Sequence, residues 1–407
     1  MKSKAVFTIS AKNYLSQALT LGQSIKENSP DTDFYILLAD VMTEEVKMLT
    51  QDFTVFSFAE LGVISAEDMA FKYDVIEFNT STKPFFFDYL FTEKNYDQVL
   101  YIDPDCYVYQ PLNTIFSRLD NNFCVLTPHA IKPQLIDEGA IKESDHLWEG
   151  IYNCGFIGIS NTKNGLILTE WWKNRLRDMC YADRIDALHV DQKWIDYVPS
   201  MFEKGVDISF HPGMNASHWN MHEREYTFKD NIHYMDNEEL IFYHFSGYNP
   251  FDENCITKVS KQTKYDLINM PHYRNLYDAY RLKLIKNGYE KFLSMGYSYS
   301  TFNNGVVILP LHRRLYRELS KSESFTELFS EQGDFYKLLL KNKLIDEKIE
   351  TTSVSKSAVS NIDLKYNVLK FMFLMAKKIF GIKRYYMLIK AVNQITRFEA
   401  QTFLIKK

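Results

Sequence analysis

The chain has 407 residues, 46% hydrophobic and 24% charged, enough for a large core with a smaller body beside it. A net charge of −5 argues against general nucleic-acid affinity, and no uncharged run nears the roughly 20 residues of a membrane span. Five cysteines (Cys106, Cys124, Cys154, Cys180, Cys255), odd in number and without CxxC spacing, argue against a disulfide framework and point to a reducing cytoplasm.

The opening MKSKAVFTIS lacks a long apolar run and a small-residue cleavage site, so it is expected to lead into a strand and not to be a secretory signal. Over the first 130 residues, β-rich runs alternate with helical patterns. Strands are predicted at 5–10, 33–40, 54–58, 98–103 and 123–128, with helices over Leu15–Asn28 and Pro84–Thr92. This alternation predicts an α/β fold with a mostly parallel, Rossmann-like sheet and crossover helices. More strands are expected at 152–160, 206–211 and 240–245, and an amphipathic helix around Trp171 and Trp172. After about Asn254 the pattern turns helical. The expected division is a main domain over 1–260, a helical accessory domain over 261–346, a Ser/Thr-rich linker over 347–363 and a tail over 364–407. From Lys365 onward there are ten basic residues and one acid, a balance of +9 that leaves −14 on the first 364 residues. Large apolar residues mixed with Lys and Arg predict a basic amphipathic helical tail, suited to an anionic inner-membrane surface or, alternatively, to packing on protein.

The stretch VLYIDPDCYVYQPL ends a predicted strand in two carboxylates, Asp103 and Asp105. In such sheets ligands bind beyond the carboxyl ends of the strands. A pair of this kind can hold a hard divalent cation, Mn2+ or Mg2+, although Asp-Pro-Asp is also good turn chemistry. Further along come NCG (Asn153 to Gly155), DQ (Asp191, Gln192) and HFSG (His244 to Gly247). Each has a plainer reading: a strand-start amide, a packing glycine, a helix start, a core histidine. Lys83 in NTSTKPFFFDYLF is either a cation aimed at a ligand or a solvated neighbour of a helix start. Asn13 and Tyr14 follow the first strand, as a ligand contact or as a cap and a half-buried aromatic.

In this order and spacing the motifs resemble family 8 glycosyltransferases of the GT-A fold, over roughly residues 4–255. The resemblance implies that Asp103, Asp105 and His244 ligate Mn2+ or Mg2+, which holds the diphosphate of a nucleotide-sugar. It further implies that Thr8, Ser10, Asn13, Tyr14, Lys83, Asp103, Asn153, Gly155, Ser246 and Gly247 line the substrate site. Asp191 and Gln192 would sit beside the donor sugar as the catalytic pair. The implied activity is transfer of a sugar, with retention, to a glycan or lipid-linked acceptor in bacterial surface polysaccharide synthesis. A non-catalytic glycan-binding protein on a degenerate transferase fold is the alternative.

Two departures stand out. The family's lysine after the histidine motif is missing, since HFSGYNPF offers Asn249, Pro250 and Phe251, and no aspartate precedes Asn13, where Ala11 and Lys12 stand. A haloacid-type phosphohydrolase also places D-x-D after a strand, but there the pair comes early and an Asp-Asp follows, which this chain lacks. His218 and His222, at i and i+4 in HPGMNASHWNMHERE, do not form HExxH. Asn215, Trp219 and Asn220 there suit a sugar-contacting loop better than a metal site.

Overall fold

The computed structural model describes residues 2–135, 139–259, 264–345 and 362–405, with side chains in the last segment from Tyr366 onward. Nearly all of the expected linker therefore lies outside the described residues. The chain forms two compact units, one of residues up to Met69 plus Val75–Ser298, the other of Ala70–Asp74 plus everything from Tyr299 onward.

The first unit is an α/β body. Its early strands are β1 (Lys4–Ser10), β2 (Asp33–Leu38), β3 (Thr54–Ser57), β4 (Gln98–Ile102), β5 (Cys106–Val108), β6 (Cys124–Pro128) and β7 (Tyr152–Ser160). Seven strands make one sheet in the order Val206–Ile208, β6, β7, β4, β1, β2, β3. Neighbours pair in parallel except β7, which runs antiparallel to both β4 and β6. The central strands are apolar without alternation because both faces are covered: Ala5, Val6 and Phe7 of β1 and Val99, Leu100 and Ile102 of β4 are fully buried. On one face α1 (Leu15–Asn28) buries Leu15, Ala18, Leu21 and Ile25. On β1, Phe7 packs edge-on against Phe86 and Phe87 of the helix Lys83–Thr92.

Beyond Ile102 the chain turns, the Cys106 amide donating to the Asp103 carbonyl (3.0 Å), and β5 then pairs antiparallel with the strand Phe242–His244. This small sheet sits at the carboxyl edge of β4 and carries Asp105 and His244 side by side.

The first unit extends past the expected boundary at 260. The helices Arg274–Lys286 and Tyr289–Leu293 pack on α1, and Leu276, Tyr277, Tyr280 and Leu284 are buried in one cluster with Tyr243, Phe245 and Tyr248. Helical periodicity marks these residues as helix, but tertiary burial decides which body they join.

In the second unit, helices Pro310–Leu319 and Asp334–Lys341 close around Phe71, Phe302, Tyr316 and Phe335. Arg313, 4% exposed, donates to the carbonyls of Ala70 (3.1 Å), Phe71 (2.6 Å) and Tyr73 (2.7 Å). The tail is a helix over Ile362–Ile395 broken at Gly381, whose φ of 70° is open to glycine at little cost. A 3-10 segment, Phe398–Leu404, then packs on the helix Pro310–Leu319, with Glu399 Oε1 3.7 Å from Arg317 Nη1. No described helix is long and apolar enough to cross a membrane.

Candidate active site

Three side chains converge where β4, β5, β7 and the strand Phe242–His244 meet. His244 Nε2 lies 3.0 Å from Asp105 Oδ1 and 3.6 Å from Asp103 Oδ2. The Asp103 amide donates to the Gly155 carbonyl (2.8 Å), which ties the Asp-Pro-Asp turn to β7. Gly155 must be glycine for reasons of space: a Cβ there would lie 2.4 Å from His244 Cε1, 2.7 Å from Asn153 Oδ1 and 2.8 Å from Asp103 Oδ2.

A chain of amides behind this cluster aims the imidazole. His244 Nδ1 donates to Asn215 Oδ1 (3.2 Å), and the Asn215 amide donates to Thr127 Oγ1 (2.9 Å) and Asn153 Oδ1 (3.0 Å). Nδ1 therefore carries a proton and Nε2 is the atom turned to the carboxylates, where it shares a proton with Asp105 that a bound metal would displace. Asn215 adopts a left-handed backbone (φ 51°) to reach this position. Asn153 also accepts from the Gly155 amide (3.0 Å) and reaches His129 Nε2 (3.1 Å), so its amide is committed at both ends. Trp219 stands edge-on to His244, ring centroids 5.0 Å apart.

The electrostatics suit a cation. Burial pushes the Asp103 carboxyl above the ordinary carboxylate range, against the pull of Lys83 and His244. For His244, burial disfavours the charged ring, yet contacts with Cys106 and Asp105 hold its pKa well above the usual imidazole value. Cys106 also lies in this group, but burial drives its thiol up to about 12, leaving it neutral. Two carboxylates and an imidazole are a fitting donor set for Mn2+ or Mg2+, and the cradle they form is one that a Cβ at position 155 would fill. His129, His146 and Glu149 also bring ligand atoms within 4.8 Å of one another. Both nitrogens of His129 are already engaged, however, by Asn153 (3.1 Å) and the Ile151 carbonyl (3.3 Å).

The remaining expected residues surround this centre in different ways. Lys83 is 1% exposed, ion-paired with Asp191 and bonded to the Cys154 carbonyl (2.7 Å), with its ammonium 4.0 Å from the Tyr101 ring centroid. Burial disfavours that ammonium, but Asp191 and then Asp103 outweigh it and hold its pKa above the usual value. Lys83 is therefore held inside the fold between Asp191 and Asp103 and does not project into solvent. Gln192 uses its amide to bridge backbone groups, accepting from the Cys154 amide (2.9 Å) and donating to the Glu149 carbonyl (3.1 Å). Tyr14 is half-buried and its hydroxyl reaches Asp105 Oδ2 (3.5 Å); Asn13 is half-buried beside it. Thr8 and Ser10 are closed off within β1, Ser10 donating to the Ala11 carbonyl (2.7 Å) while Thr8 Oγ1 has no partner among the described residues. Ser246 and Gly247 are half-buried just after His244, and Gly247 takes a left-handed φ of 69°.

Several participants emerge only in three dimensions. Asp40, 2% exposed beyond the end of β2, accepts from the Lys12 amide (3.3 Å) and the Ser298 amide (3.1 Å), so an aspartate does stand beside the Asn13 turn. The exposed Lys258 donates its backbone amide to the Gly247 carbonyl (2.9 Å), bringing a lysine to the histidine loop that HFSGYNPF itself lacks. His218 and His222 do not share a helical face: only His218–Asn220 is helical, as one 3-10 turn, and His222 Nε2 instead meets Gln134 Nε2 (3.1 Å). The turn closes there because Ser217 and Asn220 cap each other.

No family model matches the chain. It is 29% identical over 279 residues to YfnF of Bacillus subtilis (strain 168), an uncharacterised protein, covering 68% of this chain and 90% of that one. YfnD of the same organism, also uncharacterised, is 23% identical over 280 residues, covering 66% and 87%. Among solved structures the chain is similar to the glycosyltransferase GlyE of Streptococcus pneumoniae TIGR4, with a TM-score of 0.41 and 15% identity over 75% of this chain and 67% of that one. It is similar also to the galactosyltransferase LgtC, solved with donor and acceptor sugar analogues, with a TM-score of 0.41 and 14% identity over 68% and 95%.

Proposed function

We propose that the chain is a metal-dependent glycosyltransferase that moves a sugar from a nucleotide diphosphate-sugar to a glycan or lipid-linked acceptor. The observation that carries this reading is the convergence of Asp103, Asp105 and His244 on a cradle kept open by Gly155. Asp103, Asp105 and His244 would hold Mn2+ or Mg2+, and the bound cation supplies neutralisation of the negative charge that grows on the departing diphosphate.

The chain's own residues do the rest. Asn215 and Asn153 keep His244 in its ligating tautomer. The Lys83–Asp191 pair sets a buried dipole beside Asp103. Asp191 accepts hydrogen bonds from sugar hydroxyls once the donor displaces part of that pairing, and Gln192 braces the wall formed by Cys154. Retention needs no side-chain base, because the leaving phosphate oxygen takes the acceptor proton as the new glycosidic bond forms and the old one breaks.

The tail supports an acceptor held at a membrane surface, at the cytoplasmic inner face. Phe371, Met372, Leu374, Ile379 and Ile382 are each at least 60% exposed on a helix that also carries Lys370, Lys377, Lys378 and Lys383. Apolar side chains beside lysines fit insertion at an anionic interface.

The direct test is nucleoside diphosphate release from a panel of nucleotide-sugars with Mn2+, comparing wild type with Asp105→Ala. Release from one donor that disappears in the variant is the expected result. Equal release in both proteins, or none from any donor with or without glycan acceptors, would overturn the reading.

A further inference from the structure

We propose that a second pocket in the first unit, separate from the metal cradle, binds one neutral sugar ring of a glycan. The pocket, about 280 Å3 in volume, opens beside Tyr107 and Tyr109, just after Asp105, and is bounded by Gln110, Asn231, His233 and Lys283. Neither Asp103, Asp105, His244 nor Asp191 contributes to it.

Its walls are aromatic. Tyr107 and Tyr109 lie with ring centroids 4.8 Å apart and planes tilted by 54°, and His233 stands edge-on to Tyr109 at 4.7 Å, so that three rings bound the pocket from different sides; Lys283 lies over the Tyr107 ring (4.9 Å), which leaves Tyr109 as the platform. The C–H face of a pyranose stacks on a single ring of this kind.

Its charge is balanced internally. Lys283, the one cation on the rim, has its Nζ 3.5 Å from Glu27 Oε2, which also accepts from the Tyr107 hydroxyl (3.0 Å). Burial lowers the His233 pKa to about 4, so that ring is neutral at physiological pH. Glu27 partly offsets the Lys283 charge, and no carboxylate is among the described lining residues.

Several of its neutral polar groups are uncommitted. Among the described residues, the side-chain amides of Gln110 and Asn231 and the hydroxyl of Tyr109 have no hydrogen-bond partner. His233 uses Nδ1 on the Tyr226 hydroxyl (2.8 Å), leaving Nε2. A purely apolar ligand would bury these groups unpaired at a cost, whereas a polyhydroxylated ring offers both donors and acceptors to them. The assignment stands on this chemistry and not on the transferase reading. If both hold, the pocket grips a unit of the acceptor glycan away from the reacting end.

The test is saturation-transfer NMR on the full chain, without nucleotide, using the methyl glycosides of glucose, galactose, mannose, rhamnose and N-acetylglucosamine. At least one is expected to receive saturation, with affinity falling about three- to tenfold in Tyr109→Ala, as loss of one stacking ring implies. Gln110→Ala, a change at a half-exposed side chain, guards against misfolding and is expected to weaken the same ligand. Asp105→Ala should leave the signal intact, which separates this pocket from the metal site. No signal from any glycoside would overturn the proposal. So would a signal unchanged in Tyr109→Ala and Gln110→Ala, or one lost in Asp105→Ala.

Discussion

Gly155→Ala tests the proposed metal cradle with a single methyl group. The backbone at this position is ordinary strand, where alanine loses less conformational entropy than glycine, so nothing local opposes the change. The cost comes from the side chains the methyl meets. Ordinary contact begins near 3.4 Å, so the His244 ring has to retreat by about 1 Å and Asp103 Oδ2 by about 0.6 Å from their distances of 2.4 and 2.8 Å. Overpacking of this kind costs about 1–3 kcal/mol in stability. A displacement of about 1 Å in the catalytic array costs on the order of 10²-fold in rate. The informative control is Gly158→Ala on the same strand, where the new Cβ meets Leu100 Cδ2 at 2.9 Å, inside the core and away from the metal ligands. Thermal unfolding with and without Mn2+, together with nucleoside diphosphate release, reads both variants. Gly155→Ala should lose the Mn2+-dependent rise in melting temperature and about 99% of activity on that estimate, while Gly158→Ala lowers the melting temperature but keeps its response to Mn2+. If Gly155→Ala retains wild-type turnover and Mn2+ stabilisation, the cation does not sit in this cradle.

Four further outcomes follow from the same structure. Lys83→Met, which strands Asp191 in a buried site, should lower stability by about 3–5 kcal/mol, and adding Asp191→Leu should recover part of it; no recovery in the double variant's melting curve would count against a buried pair. Burial and the neighbouring Asp145 raise the Glu149 carboxyl from 4.5 to about 7, so the folded state binds the extra proton. The resulting stability is full below pH 4.5 and is lost as pH rises through about 7; Glu149→Gln should flatten that part of the pH–stability profile, and an unchanged slope would refute the assignment. Lys258 is brought to the Gly247 loop by its backbone amide; if its ammonium serves the donor phosphate, Lys258→Ala raises the donor KM about tenfold with kcat little changed, and an unchanged KM would show that it does not. Ile379→Asp combined with Lys377→Glu should abolish co-sedimentation with vesicles containing phosphatidylglycerol; retained binding would mean the tail packs on protein.

The fold was largely legible because its strands are apolar runs at parallel-sheet spacing. The eight predicted strands are present, with ends that shift by up to three residues, and α1 spans Leu15–Asn28 as its spacing predicts. The mostly parallel sheet follows from the early βα alternation, though the reversed direction of β7 does not. Periodicity reports which face of an element is apolar, but not the partner it packs against, which is why the helix Arg274–Lys286 joins the first unit. At the site, Asp103 and Asp105 lie in the turn from β4 to β5, and His244 ends the strand that pairs antiparallel with β5, which brings the three together. Asn215 and Asp40 were less accessible to the same reasoning. One reaches His244 through a left-handed loop residue and the other is consumed by backbone amides, and neither leaves a periodic trace. The pairing of Lys83 with Asp191 spans 108 residues of sequence, beyond any local pattern.

The short segment Ala70–Asp74 belongs to a body whose other residues are made much later. Phe71 is fully buried against Phe302, Tyr316 and Phe335, and its carbonyl is held by Arg313. On the ribosome, that ring waits on the order of 10–50 s for Phe335 to be synthesised. Throughout that interval an aromatic side chain of the nascent chain lacks its native cover, which makes this stretch a natural grip for a chaperone. It also means that the second unit cannot be exchanged or expressed as one contiguous module, because one of its central side chains lies inside the stretch of sequence that builds the first.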